Sequence, residues 1–195
     1  MCDVGHIPVL LNEVIDSLQP KDGDVIVDLT AGRGGHAAAL AKQCKPSNVI
    51  LFDLDAKNLA FAANRVKQES GVVPECVHAN FATAPQIMHQ QVRKADIVLA
   101  DLGFASNQMD SPERGLSFMR EGPLDMRLNP ESGKTAADIV NEFSEQELAD
   151  IIFTKGEDPF SRQIARKIVL ERAKEPILST TRLANVVRDA YGSKA

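Results

Sequence analysis

The sequence predicts an α/β fold: a parallel sheet with helices on both faces, followed by a helical region. Three observations predict it. Short apolar runs alternate with helical stretches four times in the first hundred residues, which is the pattern of a parallel sheet joined by crossover helices. The first of those runs empties into a glycine-rich turn, Asp28-Leu-Thr-Ala-Gly-Arg-Gly-Gly-His36. From Thr135 onward the chain reads as helix.

Composition fits one domain or a domain with a small appendage: 195 residues, 44% hydrophobic and 25% charged. No apolar run is long enough to cross a membrane. The N-terminus, Met-Cys-Asp-Val-Gly-His, lacks the basic-then-apolar pattern of a secretory signal. Cys2, Cys44 and Cys76 are scattered without metal or redox spacing. They are expected to be reduced thiols in a cytoplasmic protein with no metal. The formal net charge of −5 argues mildly against nucleic acid as a partner, but its distribution is uneven. Residues 151 to 195 carry a net +4 and the first 150 a net −9. A basic face of that kind binds phosphates even on an acidic protein, or is simply a solvated helical surface.

Taken in order, Pro8 to Leu18 has apolar positions at helical spacing and is stopped by Pro20. Val25-Ile-Val27 is a buried strand ending at Asp28. From Gly34 the alanine-rich sequence is helical to about Gln43. Val49 to Phe52 is a second strand, ending at Asp53, and Asp55 caps a helix from Ala56 to about Glu69. Val72 to Val77 is a third strand, weakened by Pro74, followed by Asn80-Phe81. A short helix near Gln86 to Val92 leads to a fourth strand, Ala95 to Ala100, ending at Asp101. Residues 102 to 134 carry no periodicity but are varied and specific, which predicts an ordered active-site segment. Beyond it, Ser144-x-x-Glu147 is a capping box for a helix through Phe153. Phe160 to Lys174 is a longer helix with Arg162, Arg166 and Arg172 exposed. Thr180 or Thr181 opens a last one, ending near Tyr191 with Gly192 beyond it.

Ligands in such sheets sit at the carboxyl ends of the strands. Asp28, Asp53, Asn80-Phe81 and Asp101 all stand at strand ends and should converge on one crevice. The glycine turn suits two cofactor classes. Gly32-x-Gly34-x-x-Ala37 matches the dinucleotide fingerprint, a weak signal alone. Asp28 tilts the choice, because a carboxylate there repels a pyrophosphate. S-adenosylmethionine carries no phosphate and has an ammonium group that a carboxylate attracts. Asp53 is placed to accept both ribose hydroxyls of an adenosine. Phe81 lies against the adenine face or packs in the core.

The residues also resemble a known family. The stretches are His6-Ile-Pro-Val-Leu-Leu, Asp28 to His36, Asp53-Leu-Asp55, Asn80-Phe81, Asp101-Leu-Gly, Gln108-Met-Asp110, Glu113-Arg-Gly115 and Gly122-Pro-Leu-Asp-Met-Arg127. Their order is similar to that in the bacterial small-subunit ribosomal RNA cytosine-N4 methyltransferases, across nearly the whole chain. The resemblance implies a Rossmann-like, S-adenosylmethionine-dependent methyltransferase core over residues 1–103, an active-site loop over 104–134 and a helical substrate-recognition domain over 135–195. It places Gly34, Gly35, His36, Asp53, Phe81, Asp101 and Gln108 on cofactor-binding positions, and it implies small-subunit ribosomal RNA or the subunit itself as the partner. The chain departs from the family at Ala105-Ser106-Asn107, where Ser-Ser-Pro is usual, and at Leu54, where Arg is usual. The family's later strands are expected to be missing, so that the core is only partial.

A cytosine N4 amine is a poor nucleophile, and an acceptor that draws on its N–H bonds frees the lone pair. Asp101 is the candidate for that catalytic role. Arg114, Arg120 and Arg127 are placed to hold RNA phosphates. Asp125 and Arg127 either serve the substrate or pair with neighbours to order the loop. Two alternatives stand beside this reading: a nicotinamide-dependent oxidoreductase using the same glycine turn, and a cofactor- or RNA-binding fragment without turnover. The fourth strand should pack beside the first with its other edge open. The chain is then either incomplete and poorly soluble, lacking a C-terminal segment that covers the strand, or covers that edge with its own C-terminal helices or a second copy.

Overall fold

The structure, a computed structural model, describes residues 8–91, 93–131 and 133–192. His6 and Ile7, Cys2, and the predicted helix end at Val92 lie outside the described residues. Close contacts divide the chain into two units, 1–105 and 106–195.

The first unit is built on a four-stranded parallel sheet in the order β3-β2-β1-β4. α1 (Leu11–Leu18) precedes it. The helix starts three residues later than the spacing predicts, because Leu10 takes a left-handed conformation that the helix cannot include. It ends where Gln19, left-handed and followed by Pro20, returns its N–H to the Ile15 carbonyl. β1 (Val25–Asp28) and β2 (Asn48–Asp53) are the central pair, paired from Val25 with Asn48 to Asp28 with Leu51. Ile26, Val27 and Val49 to Phe52 are buried, as strands covered on both faces require. α2 (Gly35–Gln43) and α3 (Ala56–Ser70) pack against each other and on one face of the sheet. Asp55 caps α3 as the sequence predicts, its Oδ1 accepting from the Lys57 and Asn58 N–H groups.

β3 (Glu75–His78) begins three residues later than predicted, after Pro74, which has no N–H to give to a ladder. A single 3₁₀ turn, Phe81–Thr83, leads into α4 (Ala84–Gln90), which begins and ends two residues before the predicted span. β4 (Ile97–Leu99) is shorter than its apolar run: the Asp96 carboxylate takes the Val25 N–H, and pairing with β1 starts at Ile26 with Ile97. Among the described residues no strand pairs with the outer edge of β4, where Val98 is 55% exposed.

In the second unit, α5 (Ser106–Met109) and a 3₁₀ turn, Pro112–Arg114, open the segment that has no periodicity. Its order comes from distant partners. Leu124 donates to the Leu178 carbonyl, Thr180 exchanges bonds with Gly122, and the Arg127 guanidinium grips the Asp125 carboxylate. α6 (Ala136–Glu142), α7 (Glu145–Gly156), α8 (Ser161–Arg172) and α9 (Thr180–Tyr191) follow. Thr135 with Asp138 and Ser144 with Glu147 close two capping boxes, and Gly192 ends α9 at φ +63°. Leu124, Leu148, Ile164, Ile168, Ile177 and Val186 form this unit's own core. Among the described residues no helix is long and apolar enough to cross a membrane, and Cys44 and Cys76 are free.

The glycine turn supplies a direct test of packing. Gly34 has φ +72°, and a Cβ built on it would lie 2.7 Å from the Cα of Ala62 in α3. Gly71 has φ +78° with open space around it. Gly71→Ala is expected to cost about 1 kcal/mol, the left-handed strain alone. Gly34→Ala should add the cost of overpacking, for a total of about 2–4 kcal/mol. Urea unfolding of both variants checks the difference.

Candidate functional site

The ends of β1, β2 and β4 carry Asp28, Asp53 and Asp101, and the turn from β1 to α2 lies among them. Each acid is fixed in a different way. Asp28 is buried, and its Oδ1 accepts from the Thr30 N–H at 3.0 Å. Desolvation raises its pKa from 3.8 to about 6, against the lowering effects of the Thr30 bond and of His36. Asp53 is half-buried. Its Oδ2 accepts from Gly32 N–H at 2.7 Å and its Oδ1 from Asp55 N–H at 2.8 Å. Burial pushes its pKa up, the backbone bonds from Asp55, Gly32 and Leu54 pulling the other way. Asp101 has a side chain 47% exposed, and its own N–H donates to the Thr30 hydroxyl at 2.7 Å.

Thr30 is the site residue that sequence reasoning missed. It joins the end of β1 to the end of β4, with its N–H on Asp28 and its hydroxyl accepting from Asp101. A hydroxyl two residues past a strand-end Asp was the available signal. His36, on the first turn of α2, is buried, with Nε2 at 2.9 Å from the Val9 carbonyl and Nδ1 at 3.9 Å from Asp101 Oδ2. Gly34 and Gly35 have packing reasons of their own. Gly34 lies against Ala62, and a Cβ on Gly35 would run into the Pro8 ring. Gly32, at φ +50°, has only the Thr30 carbonyl oxygen within 4 Å of where its Cβ would be. Arg33 stacks its guanidinium over the Phe61 ring at 3.6 Å.

Phe81 opens the 3₁₀ turn after β3 and is 41% exposed, so it is not a simple core residue. Asn80 holds that turn, its Oδ1 accepting from the Ala82 N–H. Asp28, His36, Asp53, Phe81 and Asp101 all belong to the first unit, whereas Gln108 is buried on α5 in the second. The loop residues also belong to the second unit. Asp125 and Arg127 form a bidentate pair, which holds the Asp125 carboxyl below its usual range, and Arg114 donates to the Leu128 carbonyl. Pairing with neighbours is thus what the structure shows for Asp125 and Arg127. On α8, Arg162 and Arg166 are exposed. Arg172 is not, contrary to expectation. It lies roughly 80° round the helix from Arg162, is half-buried, and donates to the Val140 carbonyl at 2.7 Å near the end of α6.

The family model of the MraW methylases matches residues 3–195. The chain belongs to the MraW methylase family. Within reach of the family are proteins named ribosomal RNA small subunit methyltransferase H. The chain is 42% identical to the one from Carboxydothermus hydrogenoformans over 99% of its own length and 62% of that protein. It is 40% identical to that of Heliobacterium mobile over 97% of its length and 62% of that protein. It is also 40% identical to that of Xylella fastidiosa strain M23, over 93% and 57%. The chain thus spans 57–62% of the length of these relatives. Among solved structures, an rRNA methylase from Streptococcus thermophilus aligns with a TM-score of 0.33 and 20% identity over 45% of this chain and 49% of that one. Membership of the family removes the oxidoreductase alternative.

The burial of Asp28 has a consequence for stability. A carboxyl whose folded pKa is raised stabilises the fold fully below its unfolded value and loses that contribution as pH rises through the folded one. For Asp28 the window runs from 3.8 to about 6. Asn in its place keeps an oxygen for the Thr30 N–H and carries no charge. The stability of Asp28→Asn minus that of the wild type is therefore expected to rise by about 2–3 kcal/mol between pH 4 and pH 7. Urea unfolding of both proteins across that range checks the sign and the window.

Proposed function

We propose that the chain binds S-adenosylmethionine at the strand ends of its first unit and serves methyl transfer to the N4 amine of a cytidine in small-subunit ribosomal RNA. The observation that carries the reading is the donor set. The strand ends present three carboxylates, two of them buried or half-buried, which is chemistry for hydroxyls and a cationic group and not for a pyrophosphate. Backbone N–H groups hold both oxygens of Asp53, Gly32 on Oδ2 and Asp55 on Oδ1, which fixes the carboxylate in an orientation that suits the two ribose hydroxyls. Asp28 suits the ammonium group, whose charge would relieve the cost of ionising a buried acid. Phe81, with its ring partly exposed beside the end of β3, suits the adenine face. When bound, the cofactor supplies a methyl group activated by its sulfonium.

Asp101 is the acceptor for the amine N–H. It is the most accessible of the three acids, and its backbone is fixed by Thr30. Gln108 is carried to a cofactor role by resemblance alone. The ribosomal substrate is supported by the names of the relatives and by the basic charge of residues 151 to 195. Arg162 and Arg166 are the exposed cations of α8 that suit RNA phosphates, with Arg120 in the loop. Arg114, Asp125 and Arg127 enter as the residues that order that loop.

Titration calorimetry with S-adenosylmethionine, followed by methyl transfer to small ribosomal subunits, tests the reading. Asp53→Ala should weaken cofactor binding ten- to a hundredfold, since hydrogen bonds to a charged group contribute about 1.5–3 kcal/mol. Unchanged affinity would remove Asp53 from the site. Binding without transfer would remove the catalytic half of the proposal and leave the cofactor half.

The RNA face is tested separately. Replacing Arg162 and Arg166 with Gln should flatten the salt dependence of RNA binding by up to about two phosphate contacts. Cofactor affinity should stay the same. An unaltered salt slope would make those arginines a solvated face only.

A further inference from the structure

We propose that His36 is the proton partner of Asp101, held in one tautomer by the carbonyl of Val9. The inference rests on the methyl transfer proposed above for its chemical role, but not for its geometry. His36 is buried on the first turn of α2, and its two ring nitrogens face different groups. Nε2 lies 2.9 Å from the Val9 carbonyl oxygen. A carbonyl only accepts, so Nε2 carries a hydrogen in either charge state of the ring. That leaves Nδ1 as the ring's one basic position. Nδ1 faces Asp101 Oδ2 at 3.9 Å, and the ring is close enough to Asp28 to lower its pKa. Asp28 and Asp101 are the charged groups that act with it at these strand ends, and Asp28 is already taxed by burial. The imidazole is therefore where a proton delivered to Asp101 can go.

The balance of the step is simple. The N4 lone pair forms the bond to the methyl carbon as the bond from that carbon to sulfur breaks, its electron pair staying on sulfur. One N4–H bond then breaks, and its pair remains on nitrogen. The proton passes to Asp101 and from there to Nδ1 of His36, across the 3.9 Å gap by way of one bridging water or a turn of the half-exposed Asp101 side chain toward the ring. His36 acts through Asp101, so it is a positioning residue. A purely structural histidine would need only its Nε2–H bond to Val9, which ties the N-terminal segment to the turn.

The two roles separate in nitrogen NMR of the full 195-residue chain labelled at histidine, with no cofactor present. The chain has four histidines, and His36→Gln identifies the signals of this one. The expected spectrum shows a protonated Nε2 and a bare Nδ1 in the neutral ring. Asp101→Asn should shift the Nδ1 resonance and leave Nε2 in place. The opposite tautomer, or an Nδ1 indifferent to Asp101→Asn, overturns the pairing. His36→Gln retains an N–H for Val9 but has no basic nitrogen. It should fold with a thermal midpoint near that of the wild type and transfer methyl groups ten- to a hundredfold more slowly. Combining it with Asp101→Asn should add little further loss, as for two residues acting as a unit. Transfer by His36→Gln at the wild-type rate overturns the proton role. A wild-type chain that binds the cofactor and transfers nothing overturns the functional reading, while the NMR result still decides whether the pair exists.

Discussion

The strand ends depend on how closely the backbone of Gly34 lies to that of Ala62. No side chain stands between α2 and α3 at that point, and the small residues Ala37, Ala38, Ala41 and Ala62 continue the contact into the core. The consequence is a closed ring of constraints. Gly34 fixes α3 through Ala62, and α3 begins at the cap made by Asp55. Asp55 gives its N–H to Asp53, Asp53 takes the N–H of Gly32, and two residues later the chain is back at Gly34. A widening anywhere in the ring moves the carboxylate of Asp53 away from the turn. Glycine at position 34 is thus a packing requirement in its own right.

Much of the first unit was legible because its signals are local. Val25 to Val27 and Val49 to Phe52 are β-branched or apolar runs too short for helices, and both are buried strands. The place of the fourth strand beside the first was read as well, and β4 pairs with β1 in parallel. Misreadings occurred where one residue's backbone overruled a pattern. Leu10 turns left-handed and delays α1, and Pro74 delays β3. Residues 102 to 134 had no readable local structure because their order is supplied from far along the chain. Leu178 and Thr180 hold the backbone of Gly122 to Leu124, more than fifty residues away. The two capping boxes of the helical unit were different, since a Ser or Thr three residues before an acid is a complete local statement. Of these, Ser144 with Glu147 was read, and the helix start was placed correctly.

The fate of the arginines shows why charge counts do not translate into binding faces. Residues 151 to 195 carry a net +4, yet much of that charge is already committed. Arg182 pairs with Glu175, Lys167 and Lys174 share Glu171, and Arg172 serves a helix end. Periodicity decides the matter: Arg162 and Arg166, one turn apart, share an outward face, while Arg172 falls on another and meets α6. Surface pairs of this kind contribute little to stability, but they do subtract from the field available to a phosphate.

The three acids at the strand ends form a graded set, and the grading is set by water. Asp28 has almost none and is pushed up to about 6, Asp53 has some and is pushed up as well, and Asp101 is nearly half exposed. Gathering them costs stability, because each raises the energy of charging its neighbours. The fold offsets that cost in two ways. It aims backbone N–H groups at the acids, from Thr30 and Gly32, and it buries an imidazole among them. A cationic ligand would relieve the remaining repulsion, and a pyrophosphate would worsen it. The same carboxylate at position 28 that weakens the native state above pH 6 therefore selects what can occupy the crevice, and any ligand that brings a positive charge there recovers what burying that carboxylate costs.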